Sequence, residues 1–570
     1  EYAPSIRFYL EDQKLPATRW KTTLPFPVHV VSAVEVIDHF SKGKLTTQYH
    51  YHHGHWDGAE REFRGFGMVE QLDTESFEKY DSTGLHGVEA LFAKVDRQYF
   101  SQPTRTKTWF HQGPVGDEYG DWQELDWSDQ YWKGDPQLLK HRETVNQFLR
   151  SMPSTSDGRR VKRDALRTLR GSILRTELYA LDGSDREDRP YTVSESSYGV
   201  VEIETPAAGD THRLHIFYPH VTSQRTTQWE RGDDPMTQFS STRYTDEKDL
   251  FDRFGRPLAQ TQIACPRGWR TLDDTPIEPY LATCSRTVYA EPQDPNRYIH
   301  NRVAKATSYE IVNTLGKRIT DIAAIKDPNP ELKVIGQTLS FYDGEPFIGL
   351  PLGQVDRFGA VMRTESFVLT DEILKDAYGT AIPPYLEPTG NPTWTADYPA
   401  EFRTLLPNRA GYSFHPGSAD PTDLRGYFVN ADRRRYDFQT ELKGRGLMLE
   451  ALDPLHDTRV NPSAHRTLVT YDKYQFLPIE VTDAAGLTMQ AVYDYRLLQP
   501  TEVIDPNENK SLFTFTPLGL LATSFVRGKT PTEGDQNRPS VRMEYRFLAF
   551  DESPPENRQP IFVRDRKSVV

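Results

Sequence analysis

Tyr493-Asp494-Tyr495-Arg496-Leu497-Leu498-Gln499-Pro500-Thr501-Glu502-Val503-Ile504-Asp505-Pro506-Asn507-Glu508-Asn509-Lys510-Ser511-Leu512-Phe513-Thr514-Phe515 decides how the chain folds, because it spans one full unit of a repeat. Tyr471-Asp472, Tyr493-Asp494 and Phe515-Thr516 follow one another at steps of 22 residues, and Pro478/Pro500, Glu480/Glu502, Val481/Val503 and Asp483/Asp505 keep that step. Within the unit, Pro500 to Ile504 reads as a strand, Asp505 to Asn509 as a turn, Lys510 to Thr516 as a second strand and Pro517-Leu518-Gly519 as the next turn. Each unit is a β-hairpin. A stack of hairpins cannot bury both of its faces alone, so it must coil, close on a partner or wrap around something.

Working outward, an aromatic residue followed four positions later by Gly recurs as Phe63-Arg64-Gly65-Phe66-Gly67 and Phe251-Asp252-Arg253-Phe254-Gly255, with a weaker relative at Val355-Asp356-Arg357-Phe358-Gly359. These are read as copies of the turn. Leu45 to His52 and Leu214 to Tyr218 are rich in β-formers, and Ser5-Ile6-Arg7-Phe8-Tyr9-Leu10 is also strand-like. Helical spacing is confined to Gln137 to Met152 and Val161 to Leu169, with Pro153 to Gly158 as an exposed connector. The expectation is a mainly β fold, an antiparallel hairpin array along the whole chain with a few short helices.

Composition agrees with this reading. At 570 residues, ~150 residues per domain gives roughly four domain-sized units. Hydrophobic residues make up only 36 % while aromatics reach 12 %, which suits a sheet with one packed and one wet face. Sixty-eight Lys and Arg against 82 Asp and Glu leave a net charge of -14, which repels phosphate backbones and excludes a dedicated nucleic-acid binder. Cys265 and Cys284 are too few for a disulfide framework or a four-ligand zinc site and are expected as small buried hydrophobes. No apolar run reaches 18 residues and the first residues do not read as a signal, so no membrane contact is expected. The chain starts without Met and directly in element-like text, which suggests a segment of a longer polypeptide.

Chemistry-bearing motifs are weak. His50, His52, His53 and His55 are the most ligand-like group, since His50 and His52 share a strand face, but no further ligand spacing completes a recognised pattern. An aromatic hairpin surface is the expected outcome. Gly528-Lys529-Thr530 resembles the end of a phosphate loop, yet position 523 is Thr where the leading Gly belongs. Gly411-Tyr412-Ser413-Phe414-His415 starts like a nucleophile elbow and ends in a residue too large for the turn. Asp182 to Asp188 is expected as a solvated turn and not a calcium loop. Ser154-Thr155-Ser156 with Glu202-Ile203-Glu204 echoes an ADP-ribosyltransferase, but the serines fall in the connector. No catalytic, cofactor or metal-binding residue is expected.

Longer blocks point to a family. Tyr51-His52-His53-Gly54, Arg61 to Gly67, Lys107-Thr108-Trp109-Phe110-His111, Glu177 to Gly183, Tyr493 to Pro500 and Phe515 to Leu521 together resemble, in colinear order, the B component of bacterial insecticidal toxin complexes. The resemblance implies a YD/Rhs-repeat protein that forms part of a hollow β-shell with a C component. That shell would enclose a toxin polypeptide and feed it into a pore-forming A component. It implies modules at 1–80 (middle/N-terminal) and 100–250 (middle/C-terminal), then a repeat strip over 251–570. It also implies synthesis in the bacterial cytoplasm followed by release to the exterior, and a non-enzymatic role in virulence.

The family's propeller text does not occur in these residues, so gating is not assigned to them. Its aspartyl autoprotease motif is also not found: Glu387-Pro388-Thr389-Gly390-Asn391-Pro392 lacks the aspartate pair, and Arg564-Asp565-Arg566-Lys567 is plain charged text. The low hydrophobic content further suggests a polar inner wall. The alternative is a cell-surface or carbohydrate-binding YD-repeat protein with an aromatic β-face.

Overall fold

The computed structural model describes residues 1–37, 44–58, 60–73, 102–116, 124–135, 139, 156–205, 215–241, 251–252, 254–271, 274–325, 329–386, 399–400, 412–420, 422–440, 444–456 and 463–567. The expected helix at Gln137 to Met152 and the segment Glu387 to Pro392 lie outside these residues, apart from Leu139. The chain divides into two compact units, residues 1–285 with 309–333, and residues 286–308 with 334–570.

The second unit shows why a Tyr-Asp pair recurs. Its strands run antiparallel one after another from Arg425–Tyr436 through Met448–Leu452, Arg466–Tyr471, Pro478–Thr482, Thr488–Asp494, Gln499–Ile504, Lys510–Phe515 and Leu521–Arg527 to Val541–Arg546 and Phe562–Lys567. The ladder slips by a residue at Tyr342, Tyr436, Tyr471, Tyr493 and Phe515, a bulge at each strand end. From that position the tyrosine reaches the first carbonyl of a neighbouring strand. Tyr342 Oη donates to Val303 O at 2.7 Å, Tyr436 Oη to Val361 O at 3.1 Å and Tyr471 Oη to Met448 O at 3.2 Å.

The aspartate that follows accepts the amides of the turn. Asp343 takes those of Asp356, Gly359 and Ala360 at 2.7–3.1 Å, and Asp437 takes those of Arg445, Gly446 and Leu447 at 2.8–3.0 Å. Asp472 takes Phe476 and Leu477, and Asp494 takes Arg496. In the unit where Thr516 replaces Asp, its hydroxyl accepts from Leu520 N at 3.1 Å. The opposite turns are closed alike by Asp483 and Asp505. Side-chain closure of this kind satisfies donors that the ladder leaves over at each reversal.

The strip departs from the expected one-packed, one-wet sheet. No strand residue from Arg466 to Arg546 is buried; most are half-covered on whichever side they point and the others are exposed, Val492 at 57 %. A single layer covers its side chains only with cross-strand neighbours. Packed clusters occur earlier in this unit, where Leu339 and Phe341 meet Phe428, and where Leu374 and Leu386 meet Tyr427.

In the first unit, β1 (Tyr2–Pro4) pairs with β2 (His29–Val31). Nine further strands form an antiparallel ladder in chain order: β3 (Ala33–Ile37), β4 (Lys44–Asp57), β5 (Glu62–Asp73), β6 (Thr104–Phe110), β7 (Ile173–Ala180), β8 (Thr192–Glu204), β9 (Ile216–Gln228), β10 (Met236–Ser241) and β11 (Ala259–Ala264). Helix α1 spans Ser5–Asp12 and helix α2 spans Ser156–Arg167. Val161, Ala165, Leu166 and Leu169, at helical steps, set one side of α2 and the turn after it against Val200 and Phe217. Trp109 and Trp127 are buried in a second cluster with Met68, Tyr131 and Leu174. A fully buried Trp of ~200 Å² stabilises by roughly 5 kcal/mol against an extended chain.

Three expectations are corrected. Ser5 to Leu10 is helical, because Ser5, Phe8 and Asp12 at three- and four-residue steps bury one face, which outweighs the β-preference of Ile6 and Tyr9. Ser156 to Gly158 open α2 instead of completing a connector. Phe63 to Gly67 is not a turn but part of β5, where Gly65 at φ 85° takes up the extra residue between the pairs Gly54/Phe66 and Trp56/Phe63. Phe251 to Gly255 and Val355 to Gly359 do reverse the chain, the first closed by Asp252 and the second by Asp343.

Replacing Asp437 with Ala is expected to destabilise its turn by about 2–3 kcal/mol, since three amides lose a buried acceptor. Hydrogen exchange at Arg445, Gly446 and Leu447 should quicken accordingly, and Tyr436→Phe should cost about 1 kcal/mol through its lost bond to Val361. Unchanged exchange at those amides would contradict the turn-closing role.

Candidate functional site

Among the polar groups of the first unit are two clusters built from several elements. The first lies where the end of α1 meets β4. His50 and His52, two apart on the strand, stack at 4.4 Å between ring centroids and both face Asp12. His50 Nε2 is 3.2 Å from Asp12 Oδ1 and His52 Nδ1 is 2.8 Å from Oδ2, while Trp20 Nε1 donates to Oδ2 at 2.6 Å. Burial pushes the Asp12 carboxyl up, but the bonds from His50 and His52 outweigh it and hold it well below the usual carboxylate range. These three residues could hold a metal ion.

The next histidine turns away. His53 sits at φ 59°, accepts from Lys21 N at 3.0 Å, lies 2.8 Å from Gln130 Nε2 and packs on Trp127. Burial pushes its pKa down to about 4, and burial likewise lowers that of His55. The expected aromatic surface is therefore not what these residues form: His52 is 6 % and His53 1 % exposed. Alternation along β4 placed His50 and His52 together correctly, whereas Asp12 comes from a helix the sequence reading took for strand.

The second place is a buried ionic network that sequence reasoning missed. Arg175 on β7, Glu195 on β8 and Arg225 on β9 lie opposite one another in register. Arg175 contacts Glu195 at 2.6 Å, Glu177 at 2.7 Å and Asp135 at 2.9 Å. Arg225 contacts Glu195 at 2.8 Å and Asp135 at 3.0 Å. Tyr179 Oη donates to Glu177, Trp229 Nε1 donates to Asp135, and Tyr131 lies under the Arg175 guanidinium. Arg175 and Glu177 two apart on β7, with Glu195 and Arg225 on the next two strands, were the available signal, but they look the same on a solvated face. Burial pushes the Asp135 carboxyl up, and Arg225 and Arg175 overcome this to hold it below its usual value.

The remaining motifs are placed as follows. Lys529 and Thr530 lie in the turn after Leu521–Arg527 with no helix following, and Ser413 lies inside the strand Tyr412–Pro416, opposite Phe428. The Asp182 run is a turn tied down by Arg231, whose guanidinium bonds draw the Asp182 carboxyl well below its usual range. Glu202 binds Thr205 and His215, and Glu204 ends β8; Ser154 and Thr155 lie outside the described residues. Cys265 and Cys284 are buried, and burial raises the Cys265 thiol to about 12. An open groove of about 410 Å³ is lined by Tyr198, Tyr218, His220, Phe251 and Pro257. Among the described residues no helix is long and apolar enough to cross a membrane.

An antiparallel β architecture of hairpins closed by Tyr-Asp turns defines a repeat-built class of protein. Comparison with known proteins narrows this. Residues 1–84 match the insecticide toxin TcdB middle/N-terminal region and residues 164–316 match its middle/C-terminal region. Over these two stretches the chain is therefore similar to the two middle regions of a TcdB-type insecticide toxin protein.

Among solved structures, the chain is similar to TcdB2-TccC3-Cdc42, at 21 % identity and a TM-score of 0.68 over 96 % of this chain and 26 % of that one. It is similar to TcdB2-TccC3 at 20 % identity and 0.68, over 98 % and 27 %. It is also similar to the Photorhabdus luminescens Tc holotoxin pore at 23 % identity and 0.68, over 93 % and 23 %. The chain thus spans about a quarter of the length of the structures it matches. No curated protein matched it.

Arg175→Met is expected to destabilise the first unit by about 3–5 kcal/mol, because Glu177 loses its guanidinium partner and Asp135 and Glu195 are left sharing the one guanidinium of Arg225. Urea unfolding followed by tryptophan fluorescence measures this. Because the Asp135 pKa is lower folded than unfolded, its contribution is present above about pH 3.8 and is lost as pH falls below that value. Asp135→Asn should flatten that part of the stability curve.

Proposed function

We propose that this chain is a shell segment of a toxin-complex B component that, together with a C component, encloses a toxin polypeptide and passes it toward a pore-forming A component. The observation that carries this reading is the order of parts: two TcdB middle regions, followed by a long single-layer strip of YD hairpins whose strands bury neither face. Such a strip is a wall. It has area, a ladder that holds it together, and two half-polar surfaces, one of which can face a guest.

In this reading the role is non-enzymatic, no cofactor takes part in it, and neither nucleic acid nor membrane is contacted by these residues. The work is done by exclusion: a closed wall keeps proteases out and denies the guest the partners it would need for folding outside. A wall of polar and half-buried side chains holds an unfolded chain weakly, because it offers little continuous apolar area. The modules are assigned as 1–80, 100–250 and a strip over 251–570, and the assembly works outside the producing bacterium.

Co-purification of the full-length protein with its C component, followed by limited proteolysis, tests the proposal. The guest polypeptide is expected to survive while exposed shell loops are cut. Rapid loss of the guest, or failure to form a complex, would instead favour the glycan-binding alternative and an array screen for carbohydrate ligands.

A further inference from the structure

The wall function makes no use of Asp12, His50 and His52. We propose that these three residues form a binding site for one divalent transition-metal ion of the zinc class, with Asp12, His50 and His52 as ligands and water completing the shell. One donor atom from each residue lies within 4.8 Å of the other two. Zinc bonds to nitrogen and oxygen of about 2.0–2.1 Å place tetrahedral ligand atoms ~3.3 Å apart, so the set needs only small side-chain adjustments to close on an ion. Two imidazoles and one carboxylate are the donor types such an ion takes from a protein that has no thiolate nearby.

The surroundings fit as well. The two rings leave the same face of β4 at a two-residue spacing, and their backbone is held by the ladder to β5. Trp20 Nε1 donates to Asp12 Oδ2 and so orients the carboxylate, as an outer-shell partner does in metal sites. The His52 side chain is 7 % exposed; it turns Nδ1 to Asp12 Oδ2, and its Nε2, on the other side of the ring, is buried without a hydrogen-bond partner. Glu11, 3.8 Å from His50 Nδ1 and paired with Arg7, and Glu70, opposite His50 on β5 and paired with Lys107, lie beside the cluster. Because Asp12 ends α1 and the histidines belong to β4, the ion would cross-link the helix to the sheet.

The test uses the full-length protein, purified with a tag free of histidine, stripped with EDTA and titrated with Co²⁺ and then Zn²⁺. Visible d–d absorption saturating at one Co²⁺ per chain, displaced by Zn²⁺, is expected, along with slower hydrogen exchange in residues 5–12 when the ion is present. Asp12→Asn should weaken binding at least tenfold, and His50→Ala, at a half-buried position where folding is less at risk, at least a hundredfold. His29→Ala, away from the cluster, should leave binding unchanged. No stoichiometric uptake of either ion, or equal uptake by wild type and a folded His50→Ala variant, would overturn the site and leave a hydrogen-bonded Asp-His-His cluster. Neither result bears on guest protection, so this test and the shell test fail independently.

Discussion

A carboxylate that accepts the backbone amides of the turn following it is the constraint on which the repeat strip depends. A sheet made of short hairpins reverses direction every few residues, and each reversal leaves amide donors that no strand can pair. Asp437, Asp472, Asp483, Asp494 and Asp505 supply those acceptors at the turn itself, and Asp343 supplies them to a turn 13 to 17 residues further on. The tyrosine before four of them sits at a bulge, which aims its ring along the sheet edge; in three of these pairs its hydroxyl closes on the first carbonyl of a neighbouring strand. Two adjacent residues thus fix both the turn and the register beside it.

This local solution lets the strip do without a core. Each strand contributes modest cross-strand contacts, and none of its side chains from Arg466 to Arg546 needs a second layer in order to be placed. The first unit is held differently. There α2 and the tryptophans cover one part of the sheet, and the Arg175-Glu195-Arg225 ladder fills another with paired charge. Buried charge of this kind adds little net stability over well-packed apolar groups, but it penalises any slip in register that would leave one member alone. A large wall assembled from many similar strands has more wrong registers available than a small domain, so this penalty is useful.

The Asp12-His50-His52 cluster lies where helix α1 meets the sheet. Phe8 packs on the edge of the His50 and Tyr51 rings beside the bonds from Asp12 to His50 and His52. The cluster ties the end of α1 to β4 through three polar side chains. Nearby His53, buried and turned the other way, belongs to the packing around Trp127 and not to that junction.

The repeat strip was legible from its residues because its structure is local: a hairpin of 22 residues carries its turn former, its register marker and its strands within one short window. The same reading went wrong at Ser5 to Leu10 and Phe63 to Gly67, where the outcome depended on distant partners, the β4 face for the helix and the strand opposite Gly65 for the bulge. It separated His50 and His52 from their neighbours by simple alternation, yet could not supply Asp12, which lies 38 residues away from His50. Nor could it tell Arg175, Glu195 and Arg225 from surface charges, since burial is a property of what covers a strand and not of the strand. Sequence alone determined the hairpin, its turns and its polarity, because these obey short-range sterics and hydrogen bonding. Tertiary structure decided which charges are buried and which histidines meet a carboxylate, because those follow from strand register and layer packing between segments that the chain brings together only on folding.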